Sequence, residues 1–324
     1  MKNLSEMKNN FKLLIAAVAL LAVGCSKSNP HLDHALQMKE KIYKLYDVDE
    51  TPLLAENYPQ DVAAEATYLA EGADNKVNKY SYLWPYSGTL SMMSALYEAT
   101  GDDSILEFID NEVIAGLKMY HDTSREPYGY SSYITADKSD RFYDDNIWLV
   151  IDFVDLYNLT KKQHYLDLAL DIWNFVLSGR DTVLGDGIYW CEQKKDTKNT
   201  CSNAPAAVAA LKLHKATGDK KYYDEAQQTA AACVETWVKK YTNEKEEEIY
   251  IVESGDVWFD AVMMRGFLAL WRVNGTEMLI DAYHDTLNYA WYMGRDENGL
   301  FTALAVNPAS AALCKGQYFA LVPR

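Results

Sequence analysis

The sequence predicts an all-α toroid of helical hairpins, and two observations predict it. The first is a recurring turn: Leu96-Tyr-Glu-Ala-Thr-Gly-Asp102, Leu156-Tyr-Asn-Leu-Thr-Lys-Lys162, Leu213-His-Lys-Ala-Thr-Gly-Asp219 and Trp271-Arg-Val-Asn-Gly-Thr276 are versions of one motif. Aligned on Thr100, Thr160, Thr217 and Asn274, it returns at steps of 60, 57 and 57 residues. The second is an asymmetry about that turn. An apolar helical run precedes it and an amphipathic run follows, as at 165–177 and 222–237. A helix apolar on most sides belongs inside, and one with a single apolar stripe belongs outside. Inner helices ringed by outer ones make a toroid; a tetratricopeptide-type solenoid would repeat near 34 residues without that asymmetry.

In chain order, residues 1–24 read as a signal rather than as fold. Lys8 and Lys12 precede an apolar run, Leu13 to Val23, too short to span a bilayer as a permanent helix. The run ends in Ala22-Val23-Gly24-Cys25, which resembles a bacterial lipoprotein signal with Cys25 as the lipidated residue. An ordinary secretory signal with an incidental cysteine is the alternative. Either way export is expected; the lipoprotein reading places the protein in the cell envelope, periplasmic or at the surface, with membrane attachment through lipid on Cys25. Residues 25–31 form a tether, and 32–324 the folded domain. Apolar residues at helical spacing predict a first helix over 32–46. Residues 47–86 carry Pro52, Pro59 and Pro85 and read as an irregular excursion with one short helix near 62–69. It ends in the aromatic cluster Tyr80 to Tyr86, a candidate substrate wall. In each later turn a Gly suits a helix C-cap and the following Asp an N-cap. Inner helices are expected to start near Ser87, Asp144, Ser202, Asp256 and Pro308.

Composition narrows the function. The 324-residue chain has a formal charge of −16, a poor match to nucleic acid or an anionic membrane surface and suited to a neutral substrate. Its 24 Tyr, 8 Trp and 9 Phe are as compatible with stacking on sugar rings as with a large aromatic core. Besides Cys25 there are Cys191, Cys201, Cys233 and Cys314, at spacings that match no zinc site. Export permits a Cys191–Cys201 disulfide; the alternative is buried thiols. The six His are scattered, without metal-ligand spacing.

Asp144 and Asp145 stand where a polar, Tyr-rich segment meets the apolar run from Ile147 to Tyr157. Adjacent helical side chains fan out by about 100°, and Cα atoms about 3.8 Å apart allow carboxyl groups roughly 5–6 Å apart. Retaining glycosidases hold theirs about 5–5.5 Å apart, inverting ones roughly 6.5–9.5 Å. Close carboxylates also split their titrations, so that one stays protonated while the other ionises. Ordinary helix capping is the bland alternative, and Asp102-Asp103 illustrates it. A toroid gathers the inner-helix starts at one end, however. That end would be lined by Trp84 and Tyr86, Asp144 and Asp145, the stretch 185–190, Ser202 and Asn203, and 256–258.

Tyr143-Asp-Asp-Asn146, Gly185-Asp-Gly-Ile-Tyr-Trp190, Cys201-Ser-Asn-Ala-Pro-Ala206 and Arg295-Asp-Glu-Asn-Gly-Leu-Phe301 together resemble glycoside hydrolase family 76, the α-1,6-mannanases. The resemblance covers roughly residues 80–301, with Asp186 standing where the family commonly has Gly. It implies an (α/α)6 barrel, retaining and endo-acting hydrolysis of α-1,6-mannan polysaccharide or oligosaccharide, no metal or other cofactor, and a monomer. It makes Asp144 the nucleophile and Asp145 the acid/base. Asn146 and Asn203 are candidates for hydrogen bonds to sugar hydroxyls, Trp84, Tyr143 and Trp190 for stacking, and Arg265 for orienting a carboxylate; each has a structural alternative. Two rival functions remain: an unsaturated-uronide hydrolase on a similar toroid, which would need a cationic pocket, and a non-catalytic glycan-binding lipoprotein.

Overall fold

The computed structural model describes residues 29–60, 79–134, 139–242, 246–253, 257–293, 295 and 297. The signal, Cys25, the helix expected near 62–69, Asp256, Cys314 and the inner-helix start at Pro308 lie outside the described residues. Within them the chain is a succession of helical hairpins. Helix α1 is Pro30–Tyr46, capped by Asn29 with Pro30 in the first turn. Helix α2 is Leu83–Thr100; α3 comprises Asp103–Phe108, a π turn at Ile109–Val113 and Ile114–Tyr120. There follow α4 (Tyr143–Thr160), α5 (Gln163–Ser178), α6 (Thr200–Thr217), α7 (Lys220–Trp237), α8 (Val257–Asn274) and α9 (Glu277–Met293).

Helices α2, α4, α6 and α8 pack side by side in chain order, and α4 and α6 pack most extensively on their hairpin partners α5 and α7. That is the inner ring and outer layer the pattern predicts. Helix α4 buries eleven of its eighteen residues, and Ile147, Leu149, Val150, Phe153, Val154 and Leu156 are wholly inaccessible. Removing such a side chain from water stabilises by about 1.5–3 kcal/mol, so this helix carries a large share of the core.

The four recurring turns share one construction. Thr100, Thr160 and Thr217 each donate a hydroxyl hydrogen bond to the carbonyl four residues back, at 2.7–2.8 Å. The same hydroxyls accept from the N–H two residues on, and Asn274 takes that second role with its amide oxygen. Between them Gly101, Lys161, Gly218 and Gly275 are left-handed, φ from 59° to 74°. Of these four residues, Lys161 alone is not glycine and carries a side chain in that conformation.

Short antiparallel pairs precede the inner helices: β1 (His121–Asp122) with β2 (Gly129–Tyr130) before α4, and β3 (Arg180–Asp181) with β4 (Gly187–Ile188) before α6. A longer one, β5 (Val238–Thr242) with β6 (Glu248–Val252), precedes α8. The excursion after α1 ends earlier than expected, because α2 already begins at Leu83. Pro85 sits in its first turn, where no backbone N–H is needed. No helix among the described residues is long and apolar enough to cross a membrane.

Candidate active site

Asp144 and Asp145 are the second and third residues of α4, and neither caps it. The N-cap is Phe142, which makes no side-chain capping bond. Phe142 pairs across an antiparallel bridge with Cys191, Tyr143 N donates to Trp190 O at 2.9 Å, and Glu192 N donates to Arg141 O at 3.0 Å. This splint brings Trp190 to the start of α4. Its ring packs on Phe142 with centroids 4.8 Å apart, and its Nε1–H donates to Asp144 Oδ2 at 3.1 Å.

The repeat supplies the other wall. One step of 57 residues carries Asp144, Asp145 and Asn146 onto Cys201, Ser202 and Asn203 at the start of α6, and a step of 60 back carries Asp144 onto Trp84 in α2. Trp84, Asp144 and Cys201 therefore hold one register position on three adjacent inner helices. The Cys201 thiol lies against the Asp144 carboxylate. Trp84 stands 58% exposed at the same end.

Burial dominates the electrostatics. It pushes the Asp144 carboxyl up to about 6, opposed by the Cys201 thiol, the Asp145 N–H and the Trp190 indole. Asp144 Oδ1 is buried and accepts no hydrogen bond. Asp145, only 9% exposed, is held well above the usual carboxylate range by burial and then by the charge on Asp144. The pair thus favours one carboxylate, on Asp144, beside one carboxylic acid, on Asp145, near neutral pH. Cys201 is kept as a thiol by burial and by Asp144, so it is no nucleophile.

Several expected site residues are placed elsewhere. Asn146 is wholly buried: its Oδ1 accepts from Tyr130 N at 2.8 Å, and its Nδ2 donates to Tyr130 O at 3.0 Å and Phe142 O at 2.8 Å. Asn203 repeats this on Ile188 N, Ile188 O and Asn199 O. Both amides are spent on clamping the preceding strand to the inner helix, leaving nothing for a sugar hydroxyl. Gly187 belongs to that clamp, since at φ 131° a Cβ there would lie 2.6 Å from Asn203 Oδ1. Tyr143 is 1% exposed, stacked on Phe175 at 4.9 Å, so it is core and no sugar platform. Tyr86 is likewise buried, its hydroxyl donating to Pro52 O at 2.9 Å. Arg265 is exposed on α8 and makes no ion pair with a carboxylate among the described residues. Asp186 is engaged by both Arg180 Nε and Nη2, and by Gln228, which explains an acid at that loop position. No Cys191–Cys201 disulfide forms; Cys191, Cys201 and Cys233 are buried free thiols, Cys191 directed at Gln193 and Cys201 at Asp144.

Comparison with known proteins follows this geometry. The family model described as glycosyl hydrolase family 76 matches residues 38–237. No curated protein matches the chain. Among solved structures, a selenomethionine derivative of a family 76 α-mannanase from Bacteroides thetaiotaomicron is 22% identical with a TM-score of 0.59, over 80% of this chain and 69% of that one. An inactive variant of the α-1,6-mannanase of Salegentibacter sp. HEL1_6, with two consecutive aspartates replaced by asparagine, is in complex with α-1,6-mannotriose. It is 20% identical with a TM-score of 0.58, over 83% and 76%. A D-mannose isomerase reaches a TM-score of 0.52 at 11% identity, over 78% and 68%. At these identities the likeness establishes a shared helical toroid; the sequence model establishes the family. The chain belongs to glycosyl hydrolase family 76.

Proposed function

We propose that the protein is a retaining, endo-acting α-1,6-mannanase, and the observation that carries this is the placement of two adjacent carboxyl groups in the first turn of one inner helix, both raised by burial, with the Trp190 indole donating to Asp144. Asp144, the lower of the two, attacks the anomeric carbon. Asp145, protonated, gives its proton to the departing glycosidic oxygen, and the C–O bond breaks as the Asp144–C1 ester forms. Asp145, now a carboxylate, removes a proton from water, which displaces Asp144 and restores both groups. The Trp190 indole holds Asp144 in position. Trp84, exposed on the neighbouring helix at the same register, offers a flat face to a sugar ring. The inactive Salegentibacter variant lends support, since it too is altered at two consecutive aspartates and binds α-1,6-mannotriose. The neighbours of Asp144 found here are an indole and a thiol, neither of them the cation that an unsaturated-uronide hydrolase would require.

The test is stereochemical. Adjacent carboxyl groups leave no room for a water on the far face of the ring, so the first product released from debranched α-1,6-mannan keeps the α configuration. Proton NMR of early products reads this directly. A β anomer appearing first overturns the nucleophile role of Asp144. Internal cleavage would give a spread of oligosaccharides, and accumulation of mannose alone would overturn endo action.

A further inference from the structure

We infer that Arg141 and Glu192 are a positioning pair that fixes the Trp190 indole on Asp144. Neither touches the reacting groups, and the inference rests on the proposed role of Asp144 as nucleophile.

Arg141 is wholly buried, which is unusual for a guanidinium. All three of its guanidinium nitrogens donate. Nε donates to Glu192 Oε2 at 2.7 Å, and Nη2 donates to Glu192 Oε1, closing a two-point fork. Nη1 donates to the carbonyls of Arg125 and Pro127, both at 3.1 Å, and lies 3.8 Å from Asp122. The backbone N–H of Arg141 donates to Gln193 Oε1 at 2.9 Å, and Gln193 Nε2 donates back to Glu192 Oε2 at 2.7 Å. The guanidinium also lies over the Phe175 ring, 4.8 Å from its centroid, and the other neighbour of that ring is Tyr143, stacked at 4.9 Å.

The geometry explains why such an arrangement sits here. Arg141 lies three residues before Asp144, and Glu192 two residues after Trp190, on the two strands of the splint. The fork ties the strands together at the end away from the active site, while the Phe175–Tyr143 stack braces the start of α4. A buried ion pair gains little stability over apolar packing of the same volume. What a planar two-point fork supplies is orientation, because it fixes angle as well as distance. The orientation it sets is that of Trp190, whose Nε1–H meets Asp144 Oδ2.

The test uses Glu192→Gln and, as a second variant, Arg141→Lys, each of which keeps a polar partner but breaks the fork. The first readout needs no substrate. In the intact protein the indole N–H resonance of Trp190, identified by its loss in Trp190→Phe, follows the titration of Asp144 near pH 6. In either variant that response is lost or displaced upward. The second readout is kinetic, on α-1,6-mannan oligosaccharides: kcat falls on the order of 100-fold, as for a reacting group displaced by about 1 Å, with KM little changed. Glu192→Gln added to Trp190→Phe costs no more than Trp190→Phe alone, because both act through the same contact. A folded variant with an unaltered indole titration and wild-type kcat overturns the proposal. So does failure of both variants to fold, which would make the pair a strut of the domain. If the intact protein leaves mannan untouched while the indole response depends on the fork, the positioning pair stands and the substrate assignment falls.

Discussion

At Asp144 and Asp145, burial acts on two neighbouring carboxyl groups and leaves them unequal, because only Asp144 has an indole, a thiol and a backbone N–H to offset it. Their substitutions should therefore differ in kind. Under the proposed mechanism, Asp144→Ala removes the atom that forms the covalent intermediate and abolishes turnover of every substrate. Asp145→Ala removes proton donation, a loss of about 10²–10⁴-fold on mannan but a mild one in the first step on an aryl mannoside with an acidic phenol. That variant stalls as the glycosyl-enzyme, and azide restores turnover as an α-mannosyl azide. An α-mannosyl azide from Asp144→Ala rather than from Asp145→Ala would mean the roles are exchanged, and near-normal activity in both would move the site elsewhere. The residue types announced this pair but not its unequal neighbours: Cys201 was legible only through its repeat register with Asp144, and Arg141 through nothing local.

At the scale of an element, an inner helix and the strand before it are joined by one asparagine in the same way at Asn146 and Asn203. Each satisfies both the N–H and the C=O of a buried strand residue. Replacing either by Ala leaves these groups unpaired, costing roughly 2–6 kcal/mol at about 1–3 kcal/mol for each. Denaturant melts should record that loss for both variants. For Asn203→Ala, whose strand is not part of the Trp190 splint, KM for mannan oligosaccharides should stay near wild type, and a large rise in KM with unchanged stability would restore it as a sugar ligand. Both amides are expected from sequence as sugar ligands, because an Asn at an inner-helix start looks the same whether it faces a pocket or a backbone. Of the two aromatic residues expected to line that end, Trp84 is exposed and Tyr86 is buried.

Over the whole molecule, the inner helices carry further buried acids, among them Asp152 on α4, seven residues beyond Asp145. It accepts from Ser91 Oγ on α2 at 2.5 Å, and burial pushes it up to about 7 from 3.8. Asp144 and Asp145 are raised too, so the native state keeps protons that the unfolded chain has released. The contribution of these three groups to stability is then greatest below about pH 4 and falls as pH rises through about 4 to 7 and beyond. Asp152→Asn, which keeps an acceptor for Ser91, should melt higher than wild type near pH 8, by a margin that narrows towards about pH 5. An equal margin at both pH values would show that Asp152 is not the titrating group. At the same scale the protein is expected to fractionate with membranes through lipid on Cys25 and to be released by Cys25→Ala. A fully soluble wild type whose mature N-terminus lies elsewhere would refute the anchor.

By itself the sequence determined the hairpin repeat, the inner and outer assignment of helices, and the carboxylate pair at an inner-helix start. All three are written in local chemistry: Thr and Gly at capping positions, apolar runs of helical period, and adjacent acids before a buried run. The tertiary structure decided what depends on neighbours distant in the chain. It withdrew Asn146, Asn203 and Tyr143 from the substrate, because their polar groups or rings are already engaged, and left Arg265 exposed on α8 without an ion pair to a described carboxylate. It gave Cys201 to Asp144 instead of to Cys191, and it set Arg141 on Glu192, fifty-one residues away. Burial and pairing across such separations raise or lower a carboxyl's affinity for its proton, and no residue's own chemistry carries that information.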